Sequence, residues 1–218
     1  MRAEEIQKRL DWYRDNELRG TFFSEIFQRD AEVRIILENG QAGPSKLALL
    51  LVQDFLGLSV DEHADIVKMH VWEDCKTTCD LADWGVVALD GEGMYQANLK
   101  DVGVSNCQEA FEKISTVHFQ VFDGGDDEIF YEAGKPLDHR YGRIGIATPW
   151  DDGHGLELVL QDGNIIARDT DSYPNAGYEP GGRFDPASKK DPSLTSCLPA
   201  DCHDQNPPRS GYTPLWKI

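Results

Sequence analysis

Hydrophobic and polar positions alternate most cleanly between Tyr141 and Asp169, in the stretch YGRIGIATPWDDGHGLELVLQDGNIIARD. Ile144, Ile146 and Thr148 fall on one face of an extended segment, and Leu156, Leu158 and Leu160 repeat at period two. Asp162-Gly163 is a strong two-residue hairpin signal, across which Ile165 and Ala167 pair back. The pattern predicts three consecutive antiparallel strands with a polar corner over Pro149–Gly155. That corner gathers Trp150, Asp151, Asp152 and His154.

Upstream the pattern alternates between helical and extended periods. Residues 3–18 predict a first helix, with Ile6, Leu10, Trp12, Tyr13 and Leu18 as its apolar stripe and Gly20 as its stop. Phe22, Phe23, Ile26 and Phe27 predict a second short apolar turn, the two pieces forming an α-hairpin. Glu32–Leu37 reads as a strand closed by Asn39-Gly40. Pro44-Ser45 opens a helix carrying Leu47, Leu50, Leu51 and Phe55, which Gly57 ends. Ser59 with Glu62 forms a capping-box signature for the next helix, from Val60 to about Cys75. Strands are expected over Trp84–Leu89, Met94–Leu99, Val117–Phe122 and Ile129–Glu132, and a short helix over Cys107–Ile114.

Helices laid on a largely antiparallel sheet make an α+β fold. The expected organisation is an N-terminal helical segment (1–29), a core with two consecutive helices packed on the sheet (30–173), and a tail (174–218). Eight of the eleven prolines lie from Pro174 onward, and no helical or strand period is evident there. The tail is therefore expected to be irregular.

Composition narrows the function. No apolar run approaches the roughly 20 residues that span a bilayer, and the first twenty residues are charged and amphipathic rather than a secretory core. A cytoplasmic protein is expected. The formal charge is −18. Residues 170–218 hold 6 acidic against 5 basic side chains, a net of −1, so −17 lies upstream. Such a field disfavours nucleic acid and anionic membrane and steers a basic partner inward, although solubility or salt adaptation accounts for it equally well.

The corner, Trp150-Asp151-Asp152-Gly153-His154-Gly155-Leu156, resembles a W-D-x-E-H-G-hydrophobic motif found in a bacterial domain family of unknown function. The family's Glu position is Gly153 here. The upstream order, EVRIIL followed by PSKLALLLVQDF and a second helix, also resembles that family, over about residues 30–170. Genes of the family often lie beside polymorphic toxins. The resemblance thus implies an immunity-type role, binding and neutralising a toxin domain.

Two chemistries compete at the corner. Asp151, Asp152 and His154 have the donors for a divalent metal, or for a histidine base oriented by a carboxylate, which would make a metal-dependent enzyme. Equally, an Asp that caps backbone N–H groups, glycines that supply special angles and a Trp on the core edge make a structural bend. Five cysteines without an export signal argue for thiols rather than a disulfide framework. Cys75 and Cys79 share a helix face. With Cys197 and Cys202 they form a candidate zinc set, at spacings looser than the usual C-x2-C. No nucleotide-binding glycine loop and no G-x-S-x-G elbow occurs. Asp123, Asp126 and Asp127 lie in an acidic turn that lacks the ligand order of a calcium loop. With Trp150 and the corner they are the expected contacts for a basic partner, acid supplying the encounter and aromatics the anchor.

Overall fold

The computed structural model describes residues 1–38, 40–82, 84, 86, 93–124, 131–132, 135–169 and 178. A seven-stranded sheet runs in the order β1 (Asp11–Arg14), β2 (Glu17–Ser24), β3 (Arg29–Leu37), β4 (Val117–Asp123), β7 (Tyr141–Thr148), β8 (Asp151–Gln161) and β9 (Asn164–Asp169). Two short strands, β5 (Tyr131–Glu132) and β6 (Lys135–Pro136), pair separately. Every neighbouring pair of the large sheet is antiparallel except β3–β4. The fold is α+β and largely antiparallel.

The parallel pair requires a long crossover. It contains α2 (Lys46–Leu56), α3 (Val60–Leu81), α4 (Met94–Val102) and α5 (Cys107–Lys113). Inward positions of the strands are buried against this layer: Ala31, Val33, Ile35 and Leu37 on β3, Val117, Phe119 and Val121 on β4. Phe55 of α2 stacks on Phe119 with ring centroids 4.5 Å apart and planes 5° off parallel. Gly142 on β7 makes room for this stack, because a Cβ there would meet the Phe119 ring at 2.3 Å.

The helix starts follow the sequence signals. Ser45 accepts from the Ala48 N–H, and Ser59 accepts from the Glu62 N–H. Asp123, at the end of β4, is buried and accepts from the Ser45 N–H at 2.6 Å and from Gln41 Nε2 at 3.0 Å. Helix α3 runs past the expected Cys75 to Leu81. There Asn98 of α4 donates to the Cys79 and Ala82 carbonyls, at 2.8 and 2.9 Å, and satisfies its end.

Two expectations fail. Helix α1 spans only Ala3–Gln7, and residues 11–24 form the β1–β2 hairpin around Asp15-Asn16 instead of continuing the helix. Leu18 and Phe22 sit two strand steps apart on the inward face, an interval also compatible with a helix, so the polar turn was the deciding signal. Gly20 is not a helix stop. The Arg9 carbonyl approaches so closely that a Cβ would lie 2.7 Å from it. Because β2 pairs with β3 along its length, β1 and β2 belong to the main sheet and residues 1–29 are not a helical segment or an α-hairpin.

The second failure is Met94–Leu99, which is the start of α4, with Tyr95, Asn98 and Leu99 buried at helical spacing. Gly103 closes that helix in the left-handed region at φ +73°. Of the strand expected over Trp84–Leu89, Trp84 and Val86 lie in no strand, and the remaining positions are outside the described residues. Residues 129 and 130 of the strand expected before Glu132 are likewise outside them. So is the tail, apart from Tyr178, which is buried against Tyr141, Val159 and Ala167.

Gly142→Ala is expected to destabilise the fold by about 1–3 kcal/mol through overpacking against Phe119. Urea denaturation followed by tryptophan fluorescence measures this, and an unchanged midpoint would contradict the packing described.

Candidate interaction surface

The three-strand meander forms as its alternation predicts. Asp162 and Gly163 both take positive φ, +46° and +84°, as a tight primed turn requires. The polar corner is a two-residue turn at Pro149-Trp150 followed by a wide bulge. Thr148 lies opposite Asp151 and Ile146 opposite Leu156, so residues 152–155 bow out opposite Ala147. Gly155 closes the bulge at φ +68°, where a Cβ would lie 2.6 Å from the Ile146 carbonyl oxygen.

Trp150 is not a surface contact. It is 3% exposed, and its Nε1–H donates to the Asp74 carboxylate of α3 at 2.8 Å. The indole buries its body in the core and uses its one polar atom to hold the helix, as a buried Trp usually must. Asp74 is itself buried, and desolvation pushes its carboxyl above the usual range, opposed by the Arg168 charge and by the Trp150 hydrogen bond. One turn earlier on the same helix face, burial and then the Arg168 charge push His70 down to about 3, so it is neutral at physiological pH. Beneath the corner, therefore, the buried His70, Asp74 and Trp150 and the half-buried Arg168 join α3 to the turn before β8 and to β9. Sequence patterning missed this group, because a single His and Asp on an otherwise amphipathic helix carry no spacing signal.

Outside, Asp151 accepts the His154 N–H at 2.9 Å and lies 3.4 Å from His154 Nδ1. The His154 side chain is 82% exposed. This is the capping arrangement of a structural bend. The backbone of Asp152 belongs to β8.

Asp123 is also withdrawn from the surface, because the N-terminus of α2 and Gln41 need its carboxylate. Asp126 and Asp127 lie outside the described residues, as do Cys197 and Cys202. Cys75 and Cys79 share a helix face as expected, with Sγ atoms 4.0 Å apart, and both are buried. The Cys79 thiol and then burial push the Cys75 thiol up. Among the described residues, no group of three or more His, Cys, Asp or Glu side chains is placed to hold a metal ion. No helix among them is long and apolar enough to cross a membrane.

The feature that patterning did not anticipate is the sheet face opposite the helices. Its outward positions form rows across the strands: Glu17–Ile36–Phe122, Arg19–Arg34–Gln120, Thr21–Glu32–His118 and Phe23–Asp30. Tyr13, Phe23 and Phe122 are each more than half exposed. Arg19 stacks on the Tyr13 ring at 3.6 Å while pairing with Glu17 at 2.7 Å and Glu32 at 3.5 Å. Arg34 also pairs with Glu32. The His118 ring covers Gly145, where a Cβ would meet it at 2.1 Å. Burial and then the Arg34 charge lower the His118 pKa. Tyr178 covers only the far end of this face, over β7–β9, with Arg143 5.6 Å from its ring.

No family model matches this chain, and neither a curated protein nor a solved structure shows significant similarity to it.

Trp150→Phe is expected to cost about 1–3 kcal/mol by leaving the buried Asp74 carboxyl without its donor, whereas His154→Ala stays within about 0.5 kcal/mol. Chemical denaturation of both variants decides between a structural and a surface role for the indole.

The pH dependence separates His70 from its neighbour. Below about 6.5 the unfolded chain protonates this histidine while the folded one does not until about 3, so its contribution to stability is lost as pH falls through that window. Asp74, with its raised pKa, acts in the opposite sense. The stability difference between wild type and His70→Gln should therefore shrink as pH drops from 6.5 towards 3. A difference independent of pH would refute a buried neutral His70.

Proposed function

We propose that this chain is an acidic binding module that recognises a basic protein partner, acting as an immunity-type protein against a toxin domain. The observation that carries the reading is the uneven distribution of charge. The chain holds 39 acidic and 21 basic side chains, yet the outward positions of β1–β4 carry Asp11, Glu17, Asp30 and Glu32 against Arg14, Arg19 and Arg34, a difference of one. The excess acid lies elsewhere, including the exposed Asp61, Glu62 and Asp65 at the start of α3 and Asp151 at the corner.

Carboxylates arranged in this way attract a basic surface from a distance, and they need no catalytic group to do so. Resemblance of the corner to the W-D-x-E-H-G family supports a toxin as the partner class. Asp151 and His154 remain available as contacts, whereas Trp150 and Asp123 support the surface from within.

The test is affinity capture with the tagged full chain from a lysate of its native cell at low and moderate salt, followed by binding kinetics with the captured protein. A stoichiometric basic partner is expected, with an association rate that falls roughly tenfold or more as salt screens the field. Asp65→Lys, at an exposed position of α3, should slow association further and leave the unfolding midpoint nearly unchanged. Absence of a partner, or a partner whose association ignores both salt and charge reversal, would overturn the reading.

A further inference from the structure

We infer that the face of β1–β4 that none of the described helices covers is the interface through which two copies of this chain pair. Two molecules of net charge −18 repel one another across most of their surfaces. The β1–β4 face is within one charge of balance, so it is a place where two copies approach without that penalty.

The Arg19–Arg34 row lies directly beside the row containing Glu32. A two-fold axis lying in the interface and running between those rows sets Arg34 of one copy over Glu32 of the other, and the reverse. The contact is isologous and self-complementary, as a closed dimer requires.

Tyr13, Phe23, Phe122 and the partly buried Ile36 supply apolar and aromatic area between the charges, and Tyr13 is already held by Arg19 at 3.6 Å. Aromatic and arginine side chains of this kind dominate binding energy at interfaces, and a pre-ordered pair loses little entropy on docking. The four strands hold 4, 8, 9 and 7 residues. At a spacing of about 4.8 Å and a rise of about 3.3 Å per residue they cover roughly 440 Å². Two such patches bury on the order of 900 Å² together, the size of a weak, reversible contact. Face-to-face packing of two sheets is a standard geometry, with the sheets about 10 Å apart.

The inference does not depend on the basic partner proposed above. Sedimentation equilibrium of the full chain over a micromolar range of concentration tests it. Reversible association from a 24.5 kDa monomer to twice that mass is expected. Association should be undiminished by moderate salt, because screening relieves the net repulsion between copies. Phe122→Glu and Tyr13→Glu should each weaken it at least tenfold, while Leu81→Glu, at an exposed position on the helical side, leaves it unchanged. Circular dichroism and urea midpoints verify that each variant folds, and Phe122→Leu should retain the dimer if Phe122→Glu proves unstable.

A monomer at every concentration overturns the inference, as does a dimer indifferent to both glutamate substitutions in folded protein. A monomer whose Phe122→Glu variant loses the basic partner also overturns it and gives the face to that partner. Dimerisation without any basic partner would sustain this inference while sinking the proposed function, so the two fail separately.

Discussion

The parallel pairing of β3 with β4 is the constraint on which the rest of the structure depends. Parallel strands cannot be joined by a tight turn, so the chain between Leu37 and Val117 must leave the sheet and return. The described helices α2–α5 fall in that crossover, and its core is anchored by the Phe55–Phe119 stack. Asp123 fastens the two ends of the arrangement. It sits at the last position of β4 and accepts the backbone N–H of the residue that caps α2, so helix start and strand end are positioned by one carboxylate. The consequence reaches the opposite side of the sheet. With the described helices committed to one face, the other presents rows of paired charge and exposed aromatics.

The corner shows how similar residues serve structure or function according to where the backbone puts them. Trp150, Asp151 and His154 read together as a chemical cluster, yet the turn sends the indole inward to Asp74 and leaves the imidazole in solvent. A buried carboxylic acid next to an indole N–H and an arginine is a demanding arrangement, and removing one member costs more than its hydrogen bond alone because the others stay buried. That group fixes α3 to the meander. The Asp151–His154 pair, three positions apart at the surface, caps a bulge and contributes little energy.

Charge separates two kinds of surface on one molecule. The balanced face has short-range complementarity built from Arg19, Arg34, Glu17 and Glu32, whereas the remaining surface carries a long-range field. A partner drawn by the field and a copy received by the face would meet different parts of the chain, and salt moves the two associations differently. Tyr178 adds that the C-terminal part of the chain reaches the same side of the sheet, at its β7–β9 end.

Local signals made much of this protein legible before any tertiary contact was known. The Asp162-Gly163 turn, the caps at Ser45 and Ser59, the glycine stop at Gly57 and the alternation of β3, β4, β7 and β8 are each set within a few residues, because turn geometry and side-chain periodicity are local properties. Where two periods fitted equally well, as at Leu18 to Phe22 or Tyr95 to Leu99, the outcome waited on which face had something to pack against. Asp123 and Trp150 looked like surface groups because their partners, Ser45 and Asp74, stand 78 and 76 residues away in the chain. Composition alone determined the total charge. Only the tertiary structure decided which face is balanced, since that depends on strand register, and register brings together residues that are distant in sequence.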